Sequence, residues 1–292
     1  MKRIIVPTDF STQATYALDL ACEMAKKEES EITLVHIIEI PKSSSNLGSS
    51  SLDVEGTLAV GESGDPMAKI FTMKLIERRK EQFASILEDP KYKEVNIVEK
   101  LLKGTPYQQI SEIIADIKAD MIIMGTTGAD TWEENLIGST AEKVVRHSTC
   151  PVFTLRNAIH AKDIDNIVLA SDFKEDLGNY KNVPNTLTKF FDAKLHLVYI
   201  NTPGHFSSDR EIMESMDNFI KANDLSKITK HIYSHRNAGE GILHFADDHK
   251  MDLIMMATSG ERSGLFRLFD HSIAEDVVNH SKKPVITLNL HK

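Results

Sequence analysis

The sequence has two cysteines in 292 residues, too few for a disulfide framework. Cys22 falls within a helical pattern and Cys150 stands before an apolar run, so each reads as a buried thiol. No apolar stretch approaches the roughly 18 to 20 residues of a membrane span. The start, Met1-Lys2-Arg3-Ile4-Ile5-Val6-Pro7, turns polar too soon for a signal peptide, and a cytoplasmic location is the expectation. Positive charge is scarce: 34 Lys and Arg against 43 Asp and Glu give a net charge of −9, which argues against a nucleic-acid surface. There is no Walker A lysine motif, no G-x-S-x-G elbow and no Cys-x-x-Cys pair, and no nucleophile with an adjacent base can be named. If the chain is an enzyme at all, slow hydrolysis is the most this sequence supports.

What is present is a repeat. Ile4-Ile5-Val6-Pro7-Thr8-Asp9-Phe10 matches Ile167-Val168-Leu169-Ala170-Ser171-Asp172-Phe173, and Cys150-Pro151-Val152 matches Lys283-Pro284-Val285. Between them, Leu34-Val35-His36-Ile37 matches Leu197-Val198-Tyr199-Ile200, and Asp120-Met121-Ile122-Ile123-Met124 matches Asp252-Leu253-Ile254-Met255-Met256. The offset shrinks along the repeat, and the Ser/Gly-rich stretch 43–64 of the first half accounts for most of the difference. Two domains follow, 1–157 and 164–292.

Each half alternates short Ile/Val-rich runs with helical patterns. In the first, strands fall at about 3–7, 32–38, 95–102, 121–125 and 152–156, with helices at about 12–28, 66–88, 106–118 and 140–148. Strands apolar on both faces belong to a parallel sheet covered on both sides, so the fold class is α/β, doubly wound. In such a sheet, ligands bind beyond the carboxyl ends of the strands, where the strand order reverses. Pro7-Thr8-Asp9, Ile37 and Met124-Gly125 all stand at carboxyl ends.

Beyond Met124 runs Gly125-Thr126-Thr127-Gly128, with Gly138-Ser139-Thr140 opening the next helix. Glycines let backbone amides approach an anion, and a helix N-terminus adds hydroxyls and its dipole. With the Pro7-Thr8-Asp9 start and the Cys150-Pro151-Val152 end, this order of motifs resembles the universal stress protein family, over nearly the whole chain and twice in tandem. The resemblance implies a five-stranded sheet in each half and ATP or another adenine nucleotide as ligand. Gly125, Gly128, Gly138, Ser139 and Thr140 would hold ribose and phosphates, Asp9 the base or ribose, and the backbone at Ile37 the adenine. Pro7, Thr8 and Met124 complete the site.

Competing readings stand beside this one. Ser139-Thr140-Ala141-Glu142 is also a capping box, kept in the second half as Ser272-Ile273-Ala274-Glu275, so Gly138 carries more of the signal than Ser139. Asp9 can cap the first helix, a role shared by Asp172. His36 reads as a packed core residue. Asp130, Glu133 and Glu134 bring carboxylates to the loop, which calls for Mg²⁺ or for fewer phosphates on the ligand. Trp132 packs on the loop or on the base.

The second half loses two of the three glycines. Ala257 stands for Gly125, and Asp270-His271-Ser272 stands for Gly138-Ser139, where a histidine is expected to strain the backbone and fill the phosphate space. Arg262 and Arg267 make this loop basic, leaving a different anion or none as its ligand. Pro184 falls where the first half has Ala21 inside a helix, so the second-half helix should kink or start late. His231 and His235 are assigned to one strand, too far apart to share a metal. The stretch 43–64 is expected to act as a lid. The strands ending the two halves are expected to pair antiparallel within the chain, and whole chains to form homodimers by family analogy. The leading function is a cytoplasmic stress protein with a regulatory nucleotide in the first domain. The alternatives are a nucleotide-independent scaffold and a slow ATPase or autophosphorylating protein.

Overall fold

The computed structural model describes residues 1–39, 66–126, 137–258 and 271–290. The first half runs β1 (Arg3–Pro7), α1 (Thr12–Glu28), β2 (Glu31–Ile38), α2 (Pro66–Glu88), β3 (Asn96–Lys103), α3 (Pro106–Ile117), β4 (Met121–Gly125), α4 (Ser139–His147) and β5 (Val152–Leu155). The second runs β6 (Asn166–Ala170), α5 (Val183–Phe191), β7 (Lys194–Asn201), α6 (Asp209–Ala222), β8 (Ile228–Ser234), α7 (Ala238–Asp248), β9 (Leu253–Thr258), α8 (His271–His280) and β10 (Val285–Asn289). The stretch 43–64, the loop residues Thr127, Gly128, Asp130, Trp132, Glu133 and Glu134, and the loop holding Arg262 and Arg267 lie outside the described residues.

The five strands of each half do not form a separate sheet. They join into one ten-stranded sheet in the order β3-β2-β1-β4-β5-β10-β9-β6-β7-β8. All neighbours are parallel except β5 and β10, which pair antiparallel with Phe153 opposite Ile286. Each half on its own would leave a buried apolar edge strand unpaired. Pairing the two removes both edges.

Side chains reinforce that seam by a reciprocal exchange. Asn289, just inside the end of β10, donates through Nδ2 to the carbonyls of Val145 and Ser148 at the C-terminus of α4, at 3.2 and 2.9 Å. Arg156, the repeat counterpart of Asn289 after β5, donates to the carbonyls of Val278 and Asn279 at the C-terminus of α8. Each half thus satisfies the orphan carbonyls that end the other half's last helix. Arg146 on α4 adds a forked pair to Glu275 on α8, at 2.5 and 3.0 Å.

Two sequence expectations are refined. The helix after β6 starts late, as Pro184 demands: α5 is nine residues long with that proline in its first turn, against seventeen for α1. The strand holding His231 ends at Ser234, so His235 lies outside it and the two do not share a strand.

Replacing Asn289 with leucine should leave the two α4 carbonyls buried without donors. We expect a loss of about 1–3 kcal/mol in urea unfolding of the full chain. A change under about 0.5 kcal/mol would show that the seam does not rely on this exchange.

Candidate functional site

One cavity of about 310 Å³ opens at the carboxyl ends of β1, β2 and β4, where the strand order of the first half reverses. Nine of the ten residues singled out from sequence line it: Pro7, Thr8, Asp9, Ile37, Met124, Gly125, Gly138, Ser139 and Thr140. The tenth, Gly128, lies outside the described residues. His36, Glu39 and Thr126 line it as well.

The β1 side is a tight turn tied by its own side chains. Thr8 Oγ1 accepts from Phe10 N at 3.0 Å, Asp9 Oδ1 accepts from Ser11 N at 2.9 Å, and Ser11 Oγ accepts from Ala14 N at 3.2 Å. Ser11, not Asp9, is therefore the N-cap of α1. Phe10 takes a left-handed backbone, φ 64°, that a bulky residue seldom adopts, and its ring packs on Phe83 and His36. The second half repeats this turn: Ser171 Oγ accepts from Phe173 N, Asp172 Oδ1 accepts from Lys174 N, and Phe173 sits at φ 56° against Phe219. The turn is thus an architectural device of both halves. The halves differ in what surrounds it. Asp9 is exposed at the cavity, whereas Asp172 is partly buried and burial raises its pKa.

His36 is buried as expected, and it also belongs to the site. Its Nδ1 lies 2.7 Å from the carbonyl of Thr8, which fixes the proton on Nδ1 and ties the end of β2 to the end of β1. Burial lowers its pKa and outweighs the raising effect of that carbonyl. The imidazole is neutral at pH 7, and Nε2 carries the lone pair. Its position one residue before Ile37 was the signal in the sequence.

The β4 side explains the glycines separately. A Cβ on Gly125 would lie 2.7 Å from Gln13 Cβ and 3.0 Å from the Gln13 carbonyl carbon, so glycine there admits the first turn of α1. Ala257 takes the equivalent place in the second half, where α5 has not yet begun. Gly138 is different. Its backbone is extended (φ −64°, ψ 146°), open to any residue, and a Cβ there would make only ordinary contact with the Thr126 carbonyl at 3.6 Å. The expected strain on a histidine at the equivalent place therefore has no backbone basis. Occupied space is the remaining argument.

Gly138 is also the N-cap of α4, and among the described residues no side-chain cap is made there. The capping box read at Ser139 does not form, because the helix starts at Ser139 itself, one residue earlier than that motif requires. The consequence is chemical. Gly138 N already donates to the Thr126 carbonyl, while Ser139 and Thr140 open the helix at the cavity. Thr126 lines the same cavity, and among the described residues its buried hydroxyl has no hydrogen-bond partner. An unmet hydroxyl and an uncapped helix start are what an anion would satisfy. Among the described residues no Lys or Arg lines this cavity.

Comparison with known proteins accords with this geometry. The model of the universal stress protein family matches residues 1–156 and 185–289. The chain belongs to the universal stress protein family. A universal stress protein of Methanocaldococcus jannaschii is 32% identical over 161 residues, covering 53% of this chain and 94% of its own length. A second from the same organism is 27% identical over 155 residues, covering 53% of this chain and 82% of its own length. A crystal structure of a universal stress protein from Archaeoglobus fulgidus shares the fold end to end, with a TM-score of 0.72 at 19% identity and 98% of each chain covered. Among the described residues of this universal stress protein, no helix is long and apolar enough to cross a membrane.

Two outcomes follow from the site's packing. Gly125→Ala should cost about 1–3 kcal/mol by overpacking against Gln13, while Gly138→Ala should leave stability within about 0.5 kcal/mol. Equal losses from chemical denaturation would contradict the distinction. For His36, the folded pKa lies below the ordinary 6.5. Its contribution to stability is complete above that pH and is lost as pH falls toward the lowered value. His36→Asn, which keeps a donor for Thr8 but does not titrate, should lose less stability between pH 7.5 and 5.5 than the parent chain. An identical loss would remove His36 as a cause.

Proposed function

We propose that the first-half crevice binds ATP or a related adenine nucleotide as a regulatory ligand of a cytoplasmic stress response. The second half serves as the pseudo-symmetric partner. The observation that carries this reading is the convergence of three separate sequence stretches on one cavity with an uncapped helix start and an unmet Thr126 hydroxyl. A volume of about 310 Å³ accommodates an adenosine moiety, with phosphates extending toward the opening. In this reading Pro7, Thr8, Asp9 and the Ile37 backbone meet the nucleoside. Gly125, Gly128, Gly138, Ser139 and Thr140 meet the phosphates.

Charge sets the terms. No Lys or Arg occurs between Gly125 and Lys143, and the carboxylates of Asp9 and Glu39 line the cavity. A bare triphosphate meets repulsion there. Mg²⁺ brought by the nucleotide relieves it, since carboxylate, hydroxyl and phosphate oxygens suit a hard cation. In this reading the residues lining the cavity bind and orient the ligand, and the role proposed is binding, with at most slow hydrolysis. Fold and family supply the biological setting by analogy.

Calorimetric titration of the full chain with ATP and Mg²⁺ should give one site per chain, and affinity should fall when Mg²⁺ is withheld. Gly138→Trp should weaken binding at least tenfold, the roughly 1.4 kcal/mol of one lost charge-assisted hydrogen bond, with the fold retained by circular dichroism. Two equivalent sites per chain would contradict the asymmetry. Absence of binding would favour the scaffold reading.

A further inference from the structure

The first-half crevice is not built by the first half alone. Ile137, which enters the N-cap of α4, donates its backbone N–H to Asn279 Oδ1 on α8, at 3.0 Å. Ile137 is buried, and the next residue, Gly138, is the N-cap whose amide holds the Thr126 carbonyl. The same Asn279 gives its own backbone carbonyl to Arg156, so its helix end is pinned from the first half as well. A closed circuit results: the seam fixes α8, α8 fixes Ile137, and Ile137 fixes the start of α4.

The repeat shows that this contact is not a by-product of symmetry. Asn279 occupies on α8 the place Arg146 occupies on α4, and Glu275 the place of Glu142. Arg146 reaches Glu275. A symmetric partner would be an arginine at 279 reaching Glu142. The chain instead has a shorter amide that reaches the backbone beside Gly138. The departure from symmetry points at the crevice that kept its glycines.

We infer that Asn279 is a positioning residue for the anion-binding start of α4, so that the second half sets the ligand affinity of the first. This rests on the nucleotide reading of the crevice. An N–H held by an acceptor in the second half fixes where the Ser139 and Thr140 amides aim, and ligand and α8 then stabilise the same conformation. By linkage, nucleotide bound in the first half also tightens the seam.

Calorimetric titration of the full chain with ATP and Mg²⁺ tests this, using Asn279→Leu, Asn279→Asp and Arg146→Leu. Asn279→Leu removes the acceptor and should raise Kd about fivefold or more, matching a hydrogen bond of about 1 kcal/mol. Asn279→Asp keeps an oxygen for Ile137 and should restore most of the affinity. Arg146→Leu breaks the neighbouring α4–α8 ion pair without touching Ile137. It should lower the unfolding temperature with Kd within about twofold of the parent, about 0.4 kcal/mol. Amide exchange at Ile137 should quicken in the leucine variant at 279 alone. If the parent chain binds ATP and Asn279→Leu leaves Kd unchanged, the positioning role is overturned while the nucleotide reading stands. Equal weakening by Arg146→Leu and Asn279→Leu would reduce Asn279 to a general support of the seam and overturn it too. A parent chain that binds no ATP sinks both readings together.

Discussion

The structure depends on the antiparallel pairing of β5 with β10. Each half carries at its end a strand buried on both faces, with Val152 and Phe153 in one and Val285 and Ile286 in the other almost wholly removed from solvent. Such a strand cannot remain an edge. Because the two lie in one chain, the closure needs no second molecule, and it converts two five-stranded units into a single sheet. The seam also brings α4 and α8 side by side. Asn289 and Arg156 then supply the donors that the ends of those helices lack. What closes the sheet therefore also fixes the helix that opens the crevice.

Two repeats with one ancestral pattern have diverged in what lies over the strand ends. The turns after β1 and β6 are nearly the same, down to the left-handed phenylalanines at 10 and 173. The turn therefore carries no information about ligands. The difference begins with the helices. α1 starts at once, needs Gly125 to pass Gln13, and leaves Asp9 exposed at a cavity. The chain after β6 wanders before Pro184 allows α5, and Asp172 is drawn inward. Over β7, the segment after Asn201 folds back, with Asn201 holding Ser207 through both amide atoms. Tyr199 stands in the place of His36.

Much of the fold was legible, because strands such as Ile4–Val6 and Met121–Met124 are apolar without alternation and the proline at 106 marks a helix start. The late start of α5 followed from one residue, Pro184. The single sheet was less visible. Pairing of the end strands could be anticipated from their shared apolar character, whereas the exchange of donors between Arg156 and Asn289 could not, since nothing local links a strand end to a helix end in the other half. At the site, nine residues came together because each stood at a strand's carboxyl end or at a helix start. The errors were local. The Ser139 to Glu142 spacing mimics a capping box, but the helix starts at Ser139, which shifts the cap to Gly138. Gly138 was credited with a special backbone it does not have, while Gly125 proved to be a packing requirement. His36 is buried, as a strand interior suggests, and what was missed is its second tie. Its bond to Thr8 depends on two strand ends meeting, which sequence does not display.

The central claim is that one sheet carries two inequivalent crevices, of which the first alone takes an anionic nucleotide. A crystal structure grown with ATP and Mg²⁺ tests it most directly. The account predicts nucleotide in the crevice between β1 and β4, phosphates against Ser139 and Thr140 at the start of α4, and none at the ends of β6 and β9. Nucleotide seated at β6 and β9, or a first crevice left empty at saturating ATP, would contradict it.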